Sequence, residues 1–412
     1  MDNCLLERMV THCFSTVPYY EKIKEQAGDS FYGLPIITKE MVSLNPDDFL
    51  SSSYVKPYEL GRLINKKTSG STGTCLTIYW SHGDDTLANL EAWKYRHKWY
   101  GVSIKDKYVS FHSTLYYANR LAEEEPLFIQ RGNNLSLCKN KLTKQTIGEY
   151  FELIKSVKPS WMFLQPSVLQ LLFRYASEEQ LSILNDLQYI ELTGEYLSEQ
   201  TKKAFESLIP NVKIANMYGT TETGCVALQC PCGHMHILQN AVVEIFDDEY
   251  KHQTESEGNV VLTTLKNYAM PLLRYRIGDK GLIKRSNCEC GFCGDDIIIT
   301  AGREGDIVYS PDGNNKTCYS FLKVVEYVND EFNNPIVQFN FVQPDKQSLV
   351  MYLQIKPSYD KWKRSIEQLL YDKLREEFSA FVNIKVVFDG EYDFERNNKI
   401  KFFERKCLSE GE

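Results

Sequence analysis

The sequence predicts an α/β protein with a large N-terminal domain, made of α/β sheets and a β-rich subdomain, and a small mobile C-terminal α+β lid. Three observations predict this architecture. Buried strand patterns alternate with amphipathic helical patterns over the first half of the chain. Strand patterns then follow one another closely after Gly224, and the last hundred residues combine strands with one long helix. In such α/β sheets we expect ligands at the carboxyl ends of the strands.

The elements of the first half follow from hydrophobic spacing. Leu87, Leu90, Trp93 (or Lys94) and His97 recur at helical spacing and predict an amphipathic helix over residues 84–100. Ser198 is placed to act as the N-cap of a later helix. The remaining predictions are strands at 107–112, 160–164 and 187–193, and helices at 144–157 and from Ser167.

The pattern in the second half of the chain predicts two further regions. Strands at 241–246 and 259–265 are separated by turn-forming residues and indicate the β-rich subdomain, at about residues 225–293. Beyond residue 302 the predicted order is a strand at 336–343, a strand at 348–355, a helix at 360–378 and a strand at 383–388. We therefore predict an N-terminal domain of residues 1–302 and a lid of residues 303–412, with a hinge near Gly305.

Composition excludes several classes of function. The chain has 412 residues and a net charge of −8, which argues against a nucleic-acid-binding surface. No run approaches the roughly 18 apolar residues that a membrane span needs, and the first residues do not resemble a signal peptide. We expect a cytoplasmic enzyme without a nucleic-acid or membrane partner, and a homodimer is left open.

One segment is rich in glycine and small hydroxyl residues. Residues 67–76 read Lys-Thr-Ser-Gly-Ser-Thr-Gly-Thr-Cys-Leu. The two glycines permit close approach of the backbone to an anion, and the hydroxyls add donors. The segment lacks the Gly-Lys-Ser/Thr ending of a Walker A loop, and its alternative interpretation is an ordinary surface turn. The candidate phosphate-binding residues are Thr68, Ser69, Gly70, Ser71, Thr72 and Gly73.

Cysteine and histidine residues form two compact clusters. Six of the twelve cysteines lie between positions 225 and 293, whereas the others are scattered singly. Residues 230–236 read Cys-Pro-Cys-Gly-His-Met-His, and residues 288–293 read Cys-Glu-Cys-Gly-Phe-Cys. In a reducing compartment such clusters favour a metal over disulfides. Structural zinc takes four ligands, commonly from two such knuckles.

Further motifs appear in a fixed order along the chain. Residues 216–224 read Asn-Met-Tyr-Gly-Thr-Thr-Glu-Thr-Gly, residues 274–279 read Arg-Tyr-Arg-Ile-Gly-Asp, residues 302–306 read Gly-Arg-Glu-Gly-Asp, and residues 398–401 read Asn-Lys-Ile-Lys. Together with the glycine-rich segment, they resemble the adenylate-forming ligase superfamily of acyl-CoA synthetases, luciferases and nonribosomal adenylation domains. The chain looks most similar to the short branch that contains phenylacetate–CoA ligase, coenzyme F390 synthetase and CapK-like proteins.

The resemblance implies an ATP- and Mg²⁺-dependent carboxylate ligase. It would form an acyl-adenylate and transfer the acyl group to a thiol while the lid rotates between the two half-reactions. By similarity, Glu222 holds Mg²⁺, Thr221 contacts the α-phosphate, and Lys399 bridges the carboxylate and the α-phosphate. The other implied nucleotide-binding residues are Gly194, Glu195, Tyr218 (adenine stacking), Gly219, Thr220, Asp279 (ribose hydroxyls) and Arg303 (ribose or phosphate).

This chain departs from the family pattern at three positions. Thr193 replaces the first glycine of the Gly-Gly-Glu segment, and Gly305 stands where most relatives carry an aspartate hinge. Asn398 replaces the glycine before the C-terminal lysine, and asparagine tolerates left-handed backbone better than other non-glycine residues.

The zinc-bearing members of this branch also suggest which residues hold the metal. They place one cysteine and a histidine six residues later in the first knuckle. On that pattern the ligands are Cys230, His236, Cys288 and Cys290, with Cys232, His234 and Cys293 as substitutes.

The sequence leaves more than one possibility open for the substrate and for the acyl acceptor. The expected substrate is a small carboxylic acid, and Phe111, Tyr116, Tyr117 and Trp161 could frame an aryl pocket. Coenzyme A is the default acceptor, and the phosphopantetheine arm of a carrier protein is the competitor. Two other classes are an adenylyl transferase like coenzyme F390 synthetase and a non-catalytic, CapK-like polysaccharide-associated protein.

Overall fold

The computed structural model describes residues 3–28, 30–67, 76–112, 126–253, 256–301, 307–313, 316–317, 320–332, 335–388 and 403–406. The chain divides into two compact units, Met1–Thr300 and Ala301–Glu412. The first unit holds a large mixed sheet with its helices, and the second holds a small sheet packed on two helices. Among the described helices, none combines the length and apolar character that crossing a bilayer requires.

Five parallel strands form the half of the large sheet that carries the alternating strand–helix pattern. In sheet order they are Asn134–Cys138, Tyr108–His112, Trp161–Leu164, Tyr189–Thr193 and Lys213–Thr220. Phe128–Arg131 adds an antiparallel edge strand. Apolar residues such as Leu192 and Ile190 are fully buried because helices cover this part of the sheet. The helices are His82–Tyr100, Ile147–Val157, Pro166–Tyr175, Glu178–Leu184 and Glu199–Leu208.

The closely spaced strands after residue 224 extend the same sheet and do not form a separate one. Gly224–Gln229 pairs antiparallel with Lys213–Thr220, so the sheet passes directly from its parallel half to its antiparallel half. The predicted β-rich subdomain is thus continuous with the α/β part. The added strands are Gly224–Gln229, Met235–Ile237, Asp295–Ala301, Tyr275–Arg285, Gly258–Thr264 and Ala241–Phe246, in sheet order.

The N-terminal segment packs as short helices against the end of this sheet. Asn3–Thr16 and Pro18–Ile23 contribute Met9, Cys13 and Tyr20 to a core shared with the strand residue Tyr275. The other short elements are the helices Lys39–Leu44 and Val55–Glu59, the 3₁₀ turns Phe31–Gly33, Pro46–Phe49, Ser52–Tyr54 and Lys139–Lys141, and the hairpin strands Ile64–Lys67 and Thr77–Trp80.

The second unit has a four-stranded sheet in the order Asn383–Phe388, Ser348–Ile355, Ile336–Asp345, Phe403–Arg405. The helices Ser320–Glu331 and Lys363–Glu377 contact each other, and Ile366, Leu370 and Leu374 are buried in the core. Pro357–Trp362 is a 3₁₀ turn, so the predicted helix at 360–378 begins later than expected. Two short strands, Ile307–Val308 and Lys316–Thr317, pair near the start of the unit.

The helix His82–Tyr100 confirms the predicted element, but its buried face is not the predicted one. Leu87 and Leu90 are 56% and 46% exposed. The buried face consists of Ala88, Ala92 and Arg96 together with Trp99 and Tyr100. Small alanines let the helix lie close to the strand Gly224–Gln229, which hydrophobicity alone does not reveal.

Arg96 is buried because it pairs with a buried carboxylate on the sheet. Its Nε donates to Glu191 Oε2 at 2.7 Å and its Nη2 donates to Glu191 Oε1 at 2.6 Å. The Tyr189 hydroxyl donates to the same carboxylate at 2.9 Å. Trp93 and Trp161 cover the guanidinium, with ring centroids 5.1 and 5.4 Å from it. The pair therefore joins the helix to the strand Tyr189–Thr193.

We predict that Arg96→Met lowers the free energy of unfolding by about 3–5 kcal/mol, because it leaves the Glu191 charge buried and unpaired. Denaturant unfolding followed by circular dichroism measures this change. Lys22→Met is the matched control, since it breaks the exposed pair with Asp48 and we expect a loss of about 1 kcal/mol or less. Equal losses in the two variants would contradict the structural role of the buried pair.

Candidate active site and metal centre

The hairpin that flanks the glycine-rich segment is joined to a second candidate motif. Residues 68–73 lie outside the described residues, but the strands on either side pair antiparallel, with Lys67 opposite Thr77. The fully buried Trp80 ends this hairpin, and its indole N–H donates to the backbone oxygen of Thr221 at 3.1 Å. The hairpin is thereby attached to the segment that carries Thr221 and Glu222.

The segment around Glu222 is a tight turn at the carboxyl end of a parallel strand. The Thr220 side-chain oxygen accepts from the Thr223 backbone N–H at 3.1 Å and lies 2.8 Å from the Thr223 hydroxyl. Gly224 closes the turn with φ +76°, a conformation that favours glycine. Glu222 is only 4% exposed. The turn thus holds a buried carboxylate at the edge of the sheet where ligands are expected.

Tyr218 and Asp279 are 61 residues apart in the sequence but in direct contact. The Tyr218 hydroxyl donates to Asp279 Oδ2 at 2.7 Å, and both side chains are half-buried. Tyr218 lies on Lys213–Thr220 and Asp279 on Tyr275–Arg285. Two motifs that the sequence assigned separately to adenine and ribose are therefore linked by a hydrogen bond.

Glu195 has a partner that the sequence did not predict. It follows Gly194, which has φ +77°, just beyond the strand Tyr189–Thr193. Its carboxylate accepts from the Ser167 backbone N–H at 3.0 Å and from the Ser167 hydroxyl at 2.8 Å. Because Ser167 lies in the first turn of the helix Pro166–Tyr175, Glu195 satisfies donors at that helix N-terminus.

Only some of the remaining predicted active-site residues lie among the described residues. Arg303 and Lys399 lie outside the described residues, as do Tyr116 and Tyr117. Phe111 and Trp161 are 1% and 2% exposed and belong to the core, where they stack on Tyr150 and Tyr108. These two aromatics fill the interior and do not frame an aryl pocket.

Four cysteine and histidine side chains from the two knuckles converge. One possible ligand atom from each of Cys230, His236, Cys288 and Cys290 lies within 4.8 Å of all the others. The Cys230 and Cys288 sulfurs are 3.5 Å apart, and His236 Nε2 is 3.0 Å from the Cys290 sulfur. Backbone bonds from Cys230 to His234 and from Gly233 to Cys230 form the first knuckle. Among the described residues, this is the group with metal-ligating geometry.

Of the three substitute ligands, Cys232 lies against the Cys230 and Cys288 thiols. Cys232 and Cys293 are exposed. His234 Nδ1 lies 2.7 Å from Asp296 Oδ2. The four converging ligand atoms do not include those of these three residues.

Asp296 is a site residue that sequence reasoning missed. It is 7% exposed, and its Oδ1 lies 2.6 Å from His236 Nδ1. Because Nδ1 of His236 faces Asp296, its Nε2 faces the sulfurs of the cysteine cluster. Carboxylate–histidine pairs of this kind orient metal ligands. Its place shortly after the second knuckle was the only available signal, since nothing in the spacing links it to His236.

Comparison with known proteins finds a matching family model and similar sequences. Residues 68–264 match the family described as AMP-binding enzyme. "Protein CapK" of Staphylococcus aureus is 23% identical over 362 residues, covering 86% of this chain and 76% of that protein. Phenylacetate-coenzyme A ligase of Thermus thermophilus is 24% identical over 315 residues, covering 69% of this chain and 66% of that protein.

Among solved structures, 2-hydroxyisobutyryl-CoA ligase in the postadenylation state matches with a TM-score of 0.75 at 13% identity, covering 97% of this chain and 88% of that one. Residues 68–264 are therefore the part of this chain that is similar to AMP-binding, adenylate-forming enzymes. The predicted α/β fold class, with a large sheet-rich domain and a smaller C-terminal sheet-and-helix domain, is confirmed.

Proposed function

We propose that this protein is an ATP- and Mg²⁺-dependent ligase that activates a small carboxylic acid as its acyl-adenylate and transfers the acyl group to a thiol, by default that of coenzyme A. The observation that carries the proposal is the contact between Tyr218 and Asp279 beside the turn that holds Glu222. The family match and the similarity to a phenylacetate-coenzyme A ligase support the acid–thiol assignment.

The first half-reaction joins two anions. A carboxylate oxygen of the acid attacks the α-phosphorus of ATP, and pyrophosphate leaves. Asp279 offers two acceptor oxygens to the ribose hydroxyls, and Tyr218 holds that carboxylate in place by its hydrogen bond. Glu222 supplies a hard oxygen ligand, and Mg²⁺ bound there would neutralise phosphate charge.

The second half-reaction needs no further ATP chemistry. The sulfur of the acceptor attacks the acyl carbon, AMP is the leaving group, and the thiol proton passes to solvent. The positioning of the adenylate by Asp279 and Tyr218 would serve both steps, because the AMP moiety does not change.

The direct test is acid-dependent exchange of labelled pyrophosphate into ATP across aryl, arylacetic, fatty and amino acids. Exchange depends only on the first half-reaction, so the acceptor need not be known. We expect exchange with at least one acid, followed by thioester formation when coenzyme A is added. If exchange is followed by thioester formation only with a phosphopantetheinylated carrier protein, the acyl acceptor is that carrier protein and not coenzyme A. AMP transfer without any thioester would instead indicate an adenylyl transferase, and no exchange with any acid would contradict the proposal.

We predict that Glu222→Gln slows pyrophosphate exchange by at least about 10²-fold, because the amide keeps the shape of the side chain but loses its charge. The variant should remain folded by circular dichroism. Glu152→Gln, at an exposed helix position, is the matched control and should exchange at the wild-type rate. Near-normal exchange by Glu222→Gln would mean that this carboxylate does not hold the metal.

We predict that Lys399→Ala separates the two half-reactions. By the family resemblance, the Lys399 ammonium neutralises charge only during adenylation, so pyrophosphate exchange should fall by about 10²–10³-fold. Transfer of the acyl group from pre-formed acyl-adenylate to the thiol should continue near the wild-type rate. Lys401→Ala is the matched control for both assays. If both half-reactions fall together, Lys399 does not have this role, and if only Lys401→Ala is slow, the neighbouring lysine has it.

We further propose that Cys230, His236, Cys288 and Cys290 hold a structural Zn²⁺. Three sulfurs and one imidazole nitrogen suit zinc, and tetrahedral bonds of 2.3 Å would separate its sulfurs by about 3.8 Å. The observed 3.5 Å between two of the sulfurs is close to that value. His236 lies on the strand Met235–Ile237, Cys230 follows Gly224–Gln229, and Cys288 and Cys290 lie in the loop after Tyr275–Arg285, so the metal would stabilise this part of the sheet.

We predict about one zinc per chain by mass spectrometry in protein purified without chelator. His236→Gln should lose the zinc and lower the melting temperature, because the remaining ligands cannot close the tetrahedron. Cys293→Ser is the matched control and should keep both the zinc and the melting temperature. Wild-type protein without zinc, or equal zinc contents in the two variants, would contradict this site.

A further inference from the structure

Three polar side chains lie at the carboxyl ends of neighbouring parallel strands, outside the motifs described above. Lys139 follows Asn134–Cys138, His112 ends Tyr108–His112, and Gln165 follows Trp161–Leu164. The register pairs His112 with Cys138 and Ser110 with Phe163, so His112 and Gln165 lie at the same level. Neighbouring strands are about 4.8 Å apart, so His112 lies between Gln165 on one side and Lys139, in the turn after Cys138, on the other, and the Lys139 charge acts on His112. These three residues are here called the edge cluster.

His112 and Gln165 also share a face of the sheet. Side chains alternate along a strand, and Phe111 and Leu164 point into the core beneath the helices Ile147–Val157 and Pro166–Tyr175. Ser110 and His112 therefore share the opposite face with Phe163 and Gln165. Two polar groups at one level of one face can reach the same ligand atom.

The hydrogen bonds of Ser110 fix the tautomer of His112. The Ser110 hydroxyl donates to Asn134 Oδ1 at 2.9 Å, so its oxygen accepts from His112 Nε2–H, also at 2.9 Å. Burial and the nearby Lys139 charge lower the pKa of His112 below its ordinary 6.5, which keeps the ring neutral at pH 7. The Nδ1 atom of His112 is then an acceptor, and none of the described residues donates a hydrogen bond to it.

Lys139 and Gln165 supply a donor and a second acceptor. The half-buried Lys139 nitrogen has no carboxylate within ion-pair distance in the described part of the chain, and the Glu195 charge acts on it only at longer range. Gln165 Oε1 is buried and accepts no hydrogen bond from any described residue. An unpaired buried acceptor costs about 1–3 kcal/mol, which a ligand donor would recover.

We propose that the edge cluster binds a hydroxyl group of the acid, so that the substrate is a hydroxy-substituted carboxylic acid. A hydroxyl oxygen accepts from Lys139 while its hydrogen is donated to His112 Nδ1 or Gln165 Oε1. A second carboxylate could pair with Lys139 but would have no hydrogen to donate to the two acceptors. The ammonium of an amino acid could donate to the acceptors but would be repelled by Lys139, and an apolar substituent would leave the cluster unpaired.

The sheet order also indicates where the hydroxyl lies on the substrate. The strand Lys213–Thr220, which leads to Glu222, is two strands from Trp161–Leu164, a spacing of about 10 Å. The carboxylate must react near Glu222, so the hydroxyl belongs at the far end of the acid, as in a 4-hydroxyaryl acid. This inference rests on the proposed ligase function and specifies its substrate class.

The test compares kcat/KM for pyrophosphate exchange within pairs of acids that differ by one hydroxyl. The pairs are benzoate and 4-hydroxybenzoate, phenylacetate and 4-hydroxyphenylacetate, cinnamate and 4-hydroxycinnamate, and hexanoate and 6-hydroxyhexanoate. We expect the hydroxy acid of the best pair to be preferred at least about tenfold, as for a hydrogen bond to a charged group. Lys139→Met and Gln165→Leu should each reduce that ratio at least about threefold.

Lys144→Met, at an exposed position of the same loop, is the matched control and should keep the wild-type ratio. Equal kcat/KM values within every pair, or a wild-type ratio retained by both edge-cluster variants, would overturn the inference and leave the ligase function standing. Exchange with no acid at all would contradict the ligase function itself, and the inference with it.

Discussion

The parallel strands from Tyr108 to Thr220 end at one edge of one sheet, and the site depends on that arrangement. Their backbone hydrogen bonds fix the level at which each strand ends, which fixes where Gly194, Glu195 and Glu222 begin their loops. The bonds of Glu195 to Ser167 and of Trp80 to Thr221 then hold those loops to the helix and hairpin beside them. A shift of one strand by a single residue would turn its side chains to the other face.

Beneath that edge, the sheet is held by a polar contact as well as by apolar packing. Glu191 is two residues before the end of its strand and is fully buried. Its pairing with Arg96 determines which face of the helix His82–Tyr100 meets the sheet. A buried ion pair adds little net stability over an apolar pair, but it penalises alternative packings that would separate the charges. We interpret it as a device that fixes the helix on the sheet.

The sequence allowed the elements to be predicted better than their contacts. Ser198 caps its helix as expected, accepting from the Thr201 N–H at 3.1 Å, because capping depends on residues three apart. The predicted buried face of the helix His82–Tyr100 was wrong. Two alanines and an arginine are buried in place of two leucines because Glu191 on the sheet pairs with the arginine, and the helix sequence alone does not reveal that partner. Asp296 was missed and the Tyr218–Asp279 bond was not foreseen, since both contacts join strands far apart in sequence.

We propose that Tyr218 and Asp279 form one nucleotide-binding unit, which a double-mutant cycle can test. ATP binding to wild type, Tyr218→Phe, Asp279→Asn and the double variant would be measured by isothermal titration calorimetry. We expect Asp279→Asn to weaken binding at least about tenfold, and the double variant to lose less than the sum of the single losses by about 0.5–3 kcal/mol. Unchanged ATP affinity in Asp279→Asn, or strictly additive losses, would show that the two residues do not bind the nucleotide as one unit.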